Sequence, residues 1–370
     1  MKIAIFFTYD YSLDTLSNSG LLDRELKIYS EISKKFDIKF KFFTYDKSIN
    51  KFDFDSNFEF IPIYSFAKRF NNKILRLLFS FFIPFKIKNQ LTGVDLIHQH
   101  QLLGSWITIF LKYLLKKPLL IRTGYDAYLF SIKEKDSFVK QTFYKFLTKI
   151  SLKRADLFTV TSYSDKNFIK NNFKFNQLKV VPNWIENSKI SSSKRKGGNI
   201  LMIGRLEKQK NYPLAFEFLS KISNDYQLDI YGSGSEKEFL KNKALNNNLK
   251  INFLGNITYE LLQEKYKEYE YFLSTSDFEG NPKTVLEAIS NECVVFASNI
   301  PNHSEIISNG ENGILFNNVN DLIEKFNSTV SNYELKNSIR KNCQLSLKNN
   351  NIEHITEIMY FDYLSLTESK

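Results

Sequence analysis

The sequence predicts an α/β chain made of two doubly wound halves, and three observations carry that prediction. Apolar runs of strand length recur, each followed by a loop and a stretch of helical apolar spacing: Lys2 to Phe7, Val94 to Gln99, Leu119 to Arg122, Asn199 to Ile203, Leu228 to Tyr231 and Tyr271 to Leu273. At 370 residues, 43% of them hydrophobic, the chain can bury two ordinary cores. The pattern also restarts after Asn187 to Gly198, a polar Ser- and Lys-rich stretch ending in two glycines that reads as a linker. The expected boundaries are therefore 1–186 for the first domain, 187–198 for the linker and 199–350 for the second domain.

In the first half, Lys2 to Phe7 is the opening strand. A loop is expected to Ser19-Gly20, with Gly20 as a helix-entry turn or a point of backbone approach to a ligand, then an amphipathic helix from Leu21 to Lys34. Asp37 to Phe43 alternates, with Ile38, Phe40 and Phe42 on one face, and predicts a half-exposed strand. Ala67 to Gln90 holds six Lys or Arg and no acid, with Phe70, Ile74, Leu77, Leu78 and Phe81 at helical spacing. It reads either as a helix lying on a membrane surface or as a core-packing helix with solvated lysines. Phe138 to Arg154 repeats the theme with five basic residues and no acid. The strand Val94 to Gln99 ends at His98, with His100 beyond it. Four histidines without paired cysteines or a nearby carboxylate cluster make a metal site unexpected. The strand Leu119 to Arg122 runs into Thr123-Gly124-Tyr125-Asp126, where Arg122 or Asp126 either shapes an acceptor side or belongs to a plain strand–turn–helix. Ala155 to Ser162 is the next strand, and Val180 to Glu186 closes the half.

In the second half, the strand Asn199 to Ile203 is followed by Gly204-Arg205-Leu206 and, further on, Lys210. Two cations leaving one strand end suit a diphosphate leaving group, on which negative charge grows as its bond breaks; surface solvation is the ordinary alternative. Gly232-Ser233-Gly234 turns from strand to helix, and its glycines let backbone approach a ligand. Ile251 to Gly255 is a strand and Glu260 to Tyr269 a helix. The strands Tyr271 to Leu273 and Cys293 to Ala297 flank a loop and a helix whose start is marked by Asn281 as N-cap and Pro282 as first helical residue. That helix aims its free N–H groups at a strand's carboxyl end, an anion site in open α/β sheets. Glu279 stands before it, and Glu287 lies roughly 7.5 Å along it.

The stretch Glu279-Gly280-Asn281-Pro282-Lys283-Thr284-Val285-Leu286-Glu287-Ala288 resembles the signature of the retaining, GT-B-fold glycosyltransferases of family four, the glycosyl transferases group 1. Gly204-Arg205-Leu206 with Lys210, Gly232-Ser233-Gly234, Val181-Pro182-Asn183-Trp184-Ile185-Glu186 and Pro301-Asn302-His303-Ser304-Glu305 resemble that family's other segments, in its order. The chain departs from the pattern at Ser19, Thr123, Trp184 and Asn302. Glycine is usual at three of these, and at Thr123 a histidine that contacts the donor sugar. The resemblance implies GT-B architecture: two Rossmann-like domains facing a central cleft, with a last helix in 351–370 crossing back to the first. It implies retaining transfer from a nucleoside diphosphate sugar. Arg205 and Lys210 would then hold the diphosphate, Glu287 the ribose hydroxyls and Glu279 the donor sugar. Gly204, Gly280, Asn281, Pro282, Lys283, Thr284, Gly232 and Gly234 would line the donor, with Gly20, Arg122, Thr123 and Asp126 on the acceptor side. No covalent nucleophile is assigned. No metal and no cofactor beyond the sugar nucleotide co-substrate are expected.

The net charge of +11 is uneven. Residues 1–186 hold 30 Lys and Arg against 17 Asp and Glu, a net +13, and residues 187–370 hold 21 against 23, a net −2. The charge suggests an anionic membrane surface, and together with the family resemblance it implies a lipid-linked glycan acceptor, as in capsule, exopolysaccharide or lipopolysaccharide assembly. A nucleic acid is not expected, because no helix-turn-helix, zinc or RNP-type motif accompanies the charge. The remaining alternative is a GT-B relative that binds a nucleotide sugar or a partner without catalysis. The opening MKIAIFFTYDYSLD lacks a signal-peptide core, no apolar run reaches the ~20 residues of a spanning helix, and Cys293 and Cys343 suit a reducing compartment. The expected location is cytoplasmic, peripheral at the inner face of the plasma membrane.

Overall fold

The computed structural model describes residues 1–18, 20, 22–49, 56–186 and 195–368; Ser19 and residues 187–194 of the expected linker lie outside the described residues. The chain forms two compact units, Met1–Pro182 with Ile355–Lys370, and Asn183–His354.

The first unit runs β1 (Lys2–Phe6), α1 (Leu13–Asn18), α2 (Leu22–Phe36), β2 (Lys39–Thr44), β3 (Phe58–Pro62), α3 (Lys73–Ser80), α4 (Ile83–Ile87), β4 (Leu96–Gln99), α5 (Ser105–Leu115), β5 (Leu119–Thr123), α6 (Ala127–Lys133), α7 (Phe138–Arg154), β6 (Leu157–Val160), α8 (Tyr163–Asn172) and β7 (Leu178–Val180). Its strands make one parallel sheet in the order β3-β2-β1-β4-β5-β6-β7. The second unit runs β8 (Lys196–Ile203), α9 (Tyr212–Lys221), β9 (Gln227–Tyr231), α10 (Lys237–Asn246), β10 (Ile251–Gly255), α11 (Tyr259–Glu268), β11 (Tyr269–Ser274), α12 (Lys283–Ser290), β12 (Val294–Ser298), α13 (Pro301–Ser304), β13 (Ile314–Phe316), α14 (Val319–Ser331) and α15 (Tyr333–Ser346). Its parallel sheet has the order β10-β9-β8-β11-β12-β13. The last helix, α16 (Ile352–Glu368), contributes its residues from Ile355 onward to the first unit. There the Tyr363 hydroxyl meets His98 Nδ1 at 3.0 Å, Tyr360 stacks on Phe36 at 3.7 Å, and Lys35 pairs with Glu357 at 2.7 Å.

Each sheet reverses its strand order beside its first strand, between β1 and β4 and between β8 and β11. Ligands of doubly wound sheets bind outside the carboxyl ends at such a switch point. The position of the site therefore follows from topology before any side chain is considered.

The structure departs from the sequence reading at several elements. The loop expected before Gly20 contains α1, and Gly20 turns between α1 and α2 with φ +69°, a left-handed value that suits glycine. The strand expected to be half exposed is β2, buried on both faces between β1 and β3. Phe43 stacks on Phe6 at 4.4 Å on one side, and Phe40 and Phe42 pack on Tyr29 of α2 on the other. A parallel sheet covered by helices on both faces has no wet side, so alternation overstated the exposure. Lys41 is accommodated by ion pairing to Glu59 at 3.0 Å and by donating to the Gln90 carbonyl at 3.2 Å. The edge strand β3 has no counterpart in the sequence reading. The single helix expected in Ala67 to Gln90 is broken into α3, α4 and a 3-10 turn, with Pro84 in the first turn of α4 where its missing N–H leaves no intrahelical bond unmade. Part of the expected linker, residues 196–198, is already strand β8.

Candidate active site

The loops leaving β8 and β11 lie side by side because those two strands pair at the switch point. The β8 loop carries Gly204 to Asn211 and the β11 loop carries Thr275 to Pro282. Three bonds stitch them together: the Asp277 amide donates to the Gln209 carbonyl at 2.9 Å, the Thr275 hydroxyl to the Lys210 carbonyl at 2.8 Å, and the Asn211 side chain to Asp277 at 2.8 Å.

On this frame Lys210 Nζ reaches Glu279 Oε1 at 2.5 Å. The same oxygen accepts from the Ser276 hydroxyl at 2.7 Å, and Oε2 accepts from Gln209 Nε2 at 3.3 Å. Burial pushes the Glu279 carboxyl up, but the charge and hydrogen bond of Lys210, with the Ser276 hydroxyl, outweigh it and hold the group below its ordinary range. Glu279 is thus a buried acceptor whose ionised form Lys210 and Ser276 favour. Gln209 and Ser276 went unnoticed in the sequence, because nothing in a Lys-Gln-Lys or Ser-x-Ser run marks which member turns inward.

Around the pair the loop is fixed by amides. The Asn302 side chain donates to the Gly280 carbonyl. The Asn183 amide donates to Asn281 Oδ1 at 3.0 Å, and its side chain donates to the Asn281 carbonyl at 2.6 Å. These bonds correct the helix start. Asn281 is engaged by Asn183, so Pro282 becomes the N-cap of α12 and Lys283 its first helical residue. Lys283 sits over the Trp184 indole at 4.3 Å, and Trp184 is buried beside Tyr259, which makes its role packing within the second unit. Glu287, buried in α12, accepts from the Tyr266 hydroxyl at 3.0 Å; the same hydroxyl lies 3.2 Å from the carbonyl of Thr284. Arg205 leaves the β8 loop as an exposed side chain with no ion pair among the described residues.

Gly232 and Gly234 bring backbone close to backbone. A Cβ on Gly232, whose φ is +140°, would lie 2.0 Å from the Gly204 carbonyl oxygen, and one on Gly234 would lie 2.4 Å from that of Leu206. The Gly204 amide donates to Tyr231 and the Leu206 amide to Ser233, both at 3.0 Å. The glycines let the β9 turn press against the β8 loop, and so position the backbone that carries Arg205.

His303 lies behind the pair, fully buried. Its Nδ1–H donates to the Ser298 carbonyl at 2.8 Å, leaving Nε2 to accept from the Ser274 hydroxyl at 3.4 Å. Burial pushes its pKa down to about 4 against the opposing pull of Glu279. The unfolded imidazole, at 6.5, takes up a proton first, so this contribution to stability is complete above pH 6.5 and lost as pH falls towards 4. The loss is expected to reach ~3 kcal/mol. His303→Gln should flatten the pH dependence of unfolding between pH 7 and 4.5, as read by denaturant titration at each pH. An unchanged slope would mean that the ring protonates in the folded state.

On the first unit, Arg122 and Thr123 end β5 and Asp126 caps α6, its Oδ1 accepting from the Leu129 amide at 2.6 Å. Burial pushes the Asp126 carboxyl up to about 6 even so. Thr123 Oγ1 is buried without a hydrogen-bond partner among the described residues. Gly20 stands in a different loop of the same unit.

Two doubly wound parallel sheets, each with its switch point beside its first strand, are the build of the GT-B fold. Residues 185–345 match the family model of the glycosyl transferases group 1. A Campylobacter jejuni protein, GalNAc-alpha-(1->4)-GalNAc-alpha-(1->3)-diNAcBac-PP-undecaprenol alpha-1,4-N-acetyl-D-galactosaminyltransferase, is 25% identical over 251 residues, 66% of this chain and 67% of that one. The capsular polysaccharide biosynthesis glycosyltransferase CapH of Staphylococcus aureus is 25% identical over 249 residues, 61% of this chain and 66% of that one. Sucrose-phosphate synthase of Thermosynechococcus elongatus superposes over 100% of both chains with a TM-score of 0.86 at 16% identity. HepE of Anabaena, in complex with UDP and glucose, does so over 99% of this chain and 100% of its own, with a TM-score of 0.76 at 15% identity. These structural likenesses concern the fold.

Proposed function

We propose that this chain transfers a sugar from a nucleoside diphosphate sugar, with retention of configuration, to a lipid-linked glycan acceptor in the assembly of a cell-surface polysaccharide. The observation that carries the proposal is the Lys210–Glu279 pair at the switch point, 2.5 Å apart on two stitched loops. As the glycosidic bond breaks, negative charge grows on the departing diphosphate. Lys210 and the exposed Arg205 on the same loop supply positive charge there, which is worth most when it needs no reorganisation. Glu279, ionised, accepts hydrogen bonds from the sugar's hydroxyls and orients the ring. It is not the proton donor, since its carboxyl is held low. Glu287 takes the ribose hydroxyls. The C. jejuni relative's name carries an undecaprenol-linked glycan and CapH a capsular polysaccharide, and HepE binds UDP and glucose; each supports the corresponding part of the reading.

The test is nucleoside diphosphate release from UDP-, GDP-, ADP- and dTDP-sugars in the presence of membrane lipid extract, for the wild type and Glu279→Ala, with the product anomer read by NMR. Release is expected from one donor, dependent on lipid and lost in the variant. Because Lys210 and Arg205 supply the charge, transfer is expected to persist with a chelator present. No release from any donor, with one nucleotide still raising the melting temperature, would replace this reading with a nucleotide-sugar-binding protein.

A further inference from the structure

The first unit presents an apolar face that is exposed among the described residues. In α3 only Ser80 is buried, while Ile74 and Leu78 are 71% and 56% exposed. In α4, Ile83 and Ile87 point inward, while Phe85 and the preceding Phe82, 60% exposed, point outward. In α5 and α7, Ile107, Leu111 and Leu147 are buried while Phe110 and Phe146 face solvent. Ring contacts join these helices: Phe85 meets Phe110 at 5.4 Å, and Trp106 of α5 links Phe81 at 6.2 Å to Phe143 of α7 at 6.4 Å. Contiguous apolar faces of this kind are rare on proteins that work alone in water and mark interaction surfaces.

Charge selects the occupant. The four helices contain no Asp or Glu, and exposed Lys73, Lys86, Lys88, Lys145 and Lys149 stand among the aromatic side chains. A second copy would bring the same positive charge to the contact. A nucleic acid would meet the lysines but leave the Phe and Leu side chains uncovered. An anionic bilayer satisfies both, with headgroup phosphates for the ammonium groups and acyl chains for the rings. Among the described residues no helix is long and apolar enough to cross a membrane, so the contact is shallow. We infer that the α3–α4–α5–α7 face docks the first unit onto an anionic lipid bilayer, with Leu78 and Phe82 entering the acyl layer.

This inference deepens the proposed function, since a lipid-linked acceptor resides in a bilayer, but its test needs no donor. The full chain is sedimented with vesicles of phosphatidylcholine, with and without phosphatidylglycerol, at low and high salt. Binding is expected to anionic vesicles, weakening with salt. It should fall about tenfold or more in Leu78→Glu/Phe82→Glu, whose exposed positions leave the melting temperature unchanged. If that variant does not fold, Lys86→Glu/Lys88→Glu decides by losing the preference for anionic lipid. The inference is overturned if the wild type ignores anionic vesicles, or if the folded variants bind as it does. It is equally overturned if the face proves to close a dimer that Leu78→Glu/Phe82→Glu dissociates. Vesicle binding without nucleoside diphosphate release would sink the proposed function alone; release without vesicle binding would sink this inference alone.

Discussion

Lys210→Met is expected to destabilise the second unit by about 3 to 5 kcal/mol and to lower sugar transfer by about 10²–10³-fold. The stability loss comes from what remains. Glu279 is buried, and its ionised state rests on Lys210 first and on the Ser276 hydroxyl second. Without the ammonium group it must stay charged in a poor dielectric or take up a proton, and both are costly. The double variant Lys210→Met/Glu279→Leu removes both charges together and should recover most of the stability, because a packed apolar pair replaces a buried ion pair at little cost. Transfer should not recover, since the cation proposed to face the leaving group is still absent. Urea unfolding followed at Trp184, the tryptophan of the second unit, reads the first quantity, and nucleoside diphosphate release reads the second. Full stability in the single variant would show the pair to be solvated. Transfer restored in the double variant would remove Lys210 from the chemistry.

Gly232→Ala is expected to cost about 3 to 5 kcal/mol, combining backbone strain with an overpacking clash. The clash is with backbone: the new Cβ would lie 2.0 Å from the Gly204 carbonyl oxygen, and no rotamer relieves it. The β8 loop must therefore shift, taking Arg205 with it, and nucleotide affinity should fall as well. Gly310→Ala is the control. It too has a left-handed φ, +84°, but nothing within 4 Å of its Cβ, so it isolates the torsional part at about 1 kcal/mol. Equal losses in the two variants would mean that the close approach of the β8 and β9 loops contributes nothing.

Where the sequence was informative, the reason is periodicity and local chemistry. Strand runs such as Leu119 to Arg122 and Leu228 to Tyr231 stand within a residue or two of β5 and β9, and their alternation with helices prescribes parallel sheets. Lys210 and Glu279 could be named because the segments that hold them, Gly204 to Lys210 and Glu279 to Glu287, resemble known family segments; charge near a strand end alone left surface solvation as the ordinary reading. Their meeting, 69 residues apart in sequence, depends on strand order, which alternation does not encode. Gln209, Ser276 and the Asn183–Asn281 bonds were invisible for the same reason, and Asn281 as N-cap was a local inference overridden by a distant partner. The exposure of β2 was misjudged because a two-residue period distinguishes faces without saying what covers each.

The return of α16 to the first unit has a consequence for synthesis. A ribosome that has finished residues 1–182 has yet to make Tyr363, whose hydroxyl meets His98, and Tyr360, which stacks on Phe36. The second unit is continuous in sequence and has every residue it requires before those side chains emerge. Domains generally mature in the order in which they leave the ribosome. Here the order is inverted: of the two units, the one begun first is completed last, and its interior waits, open on one side, until α16 has been made.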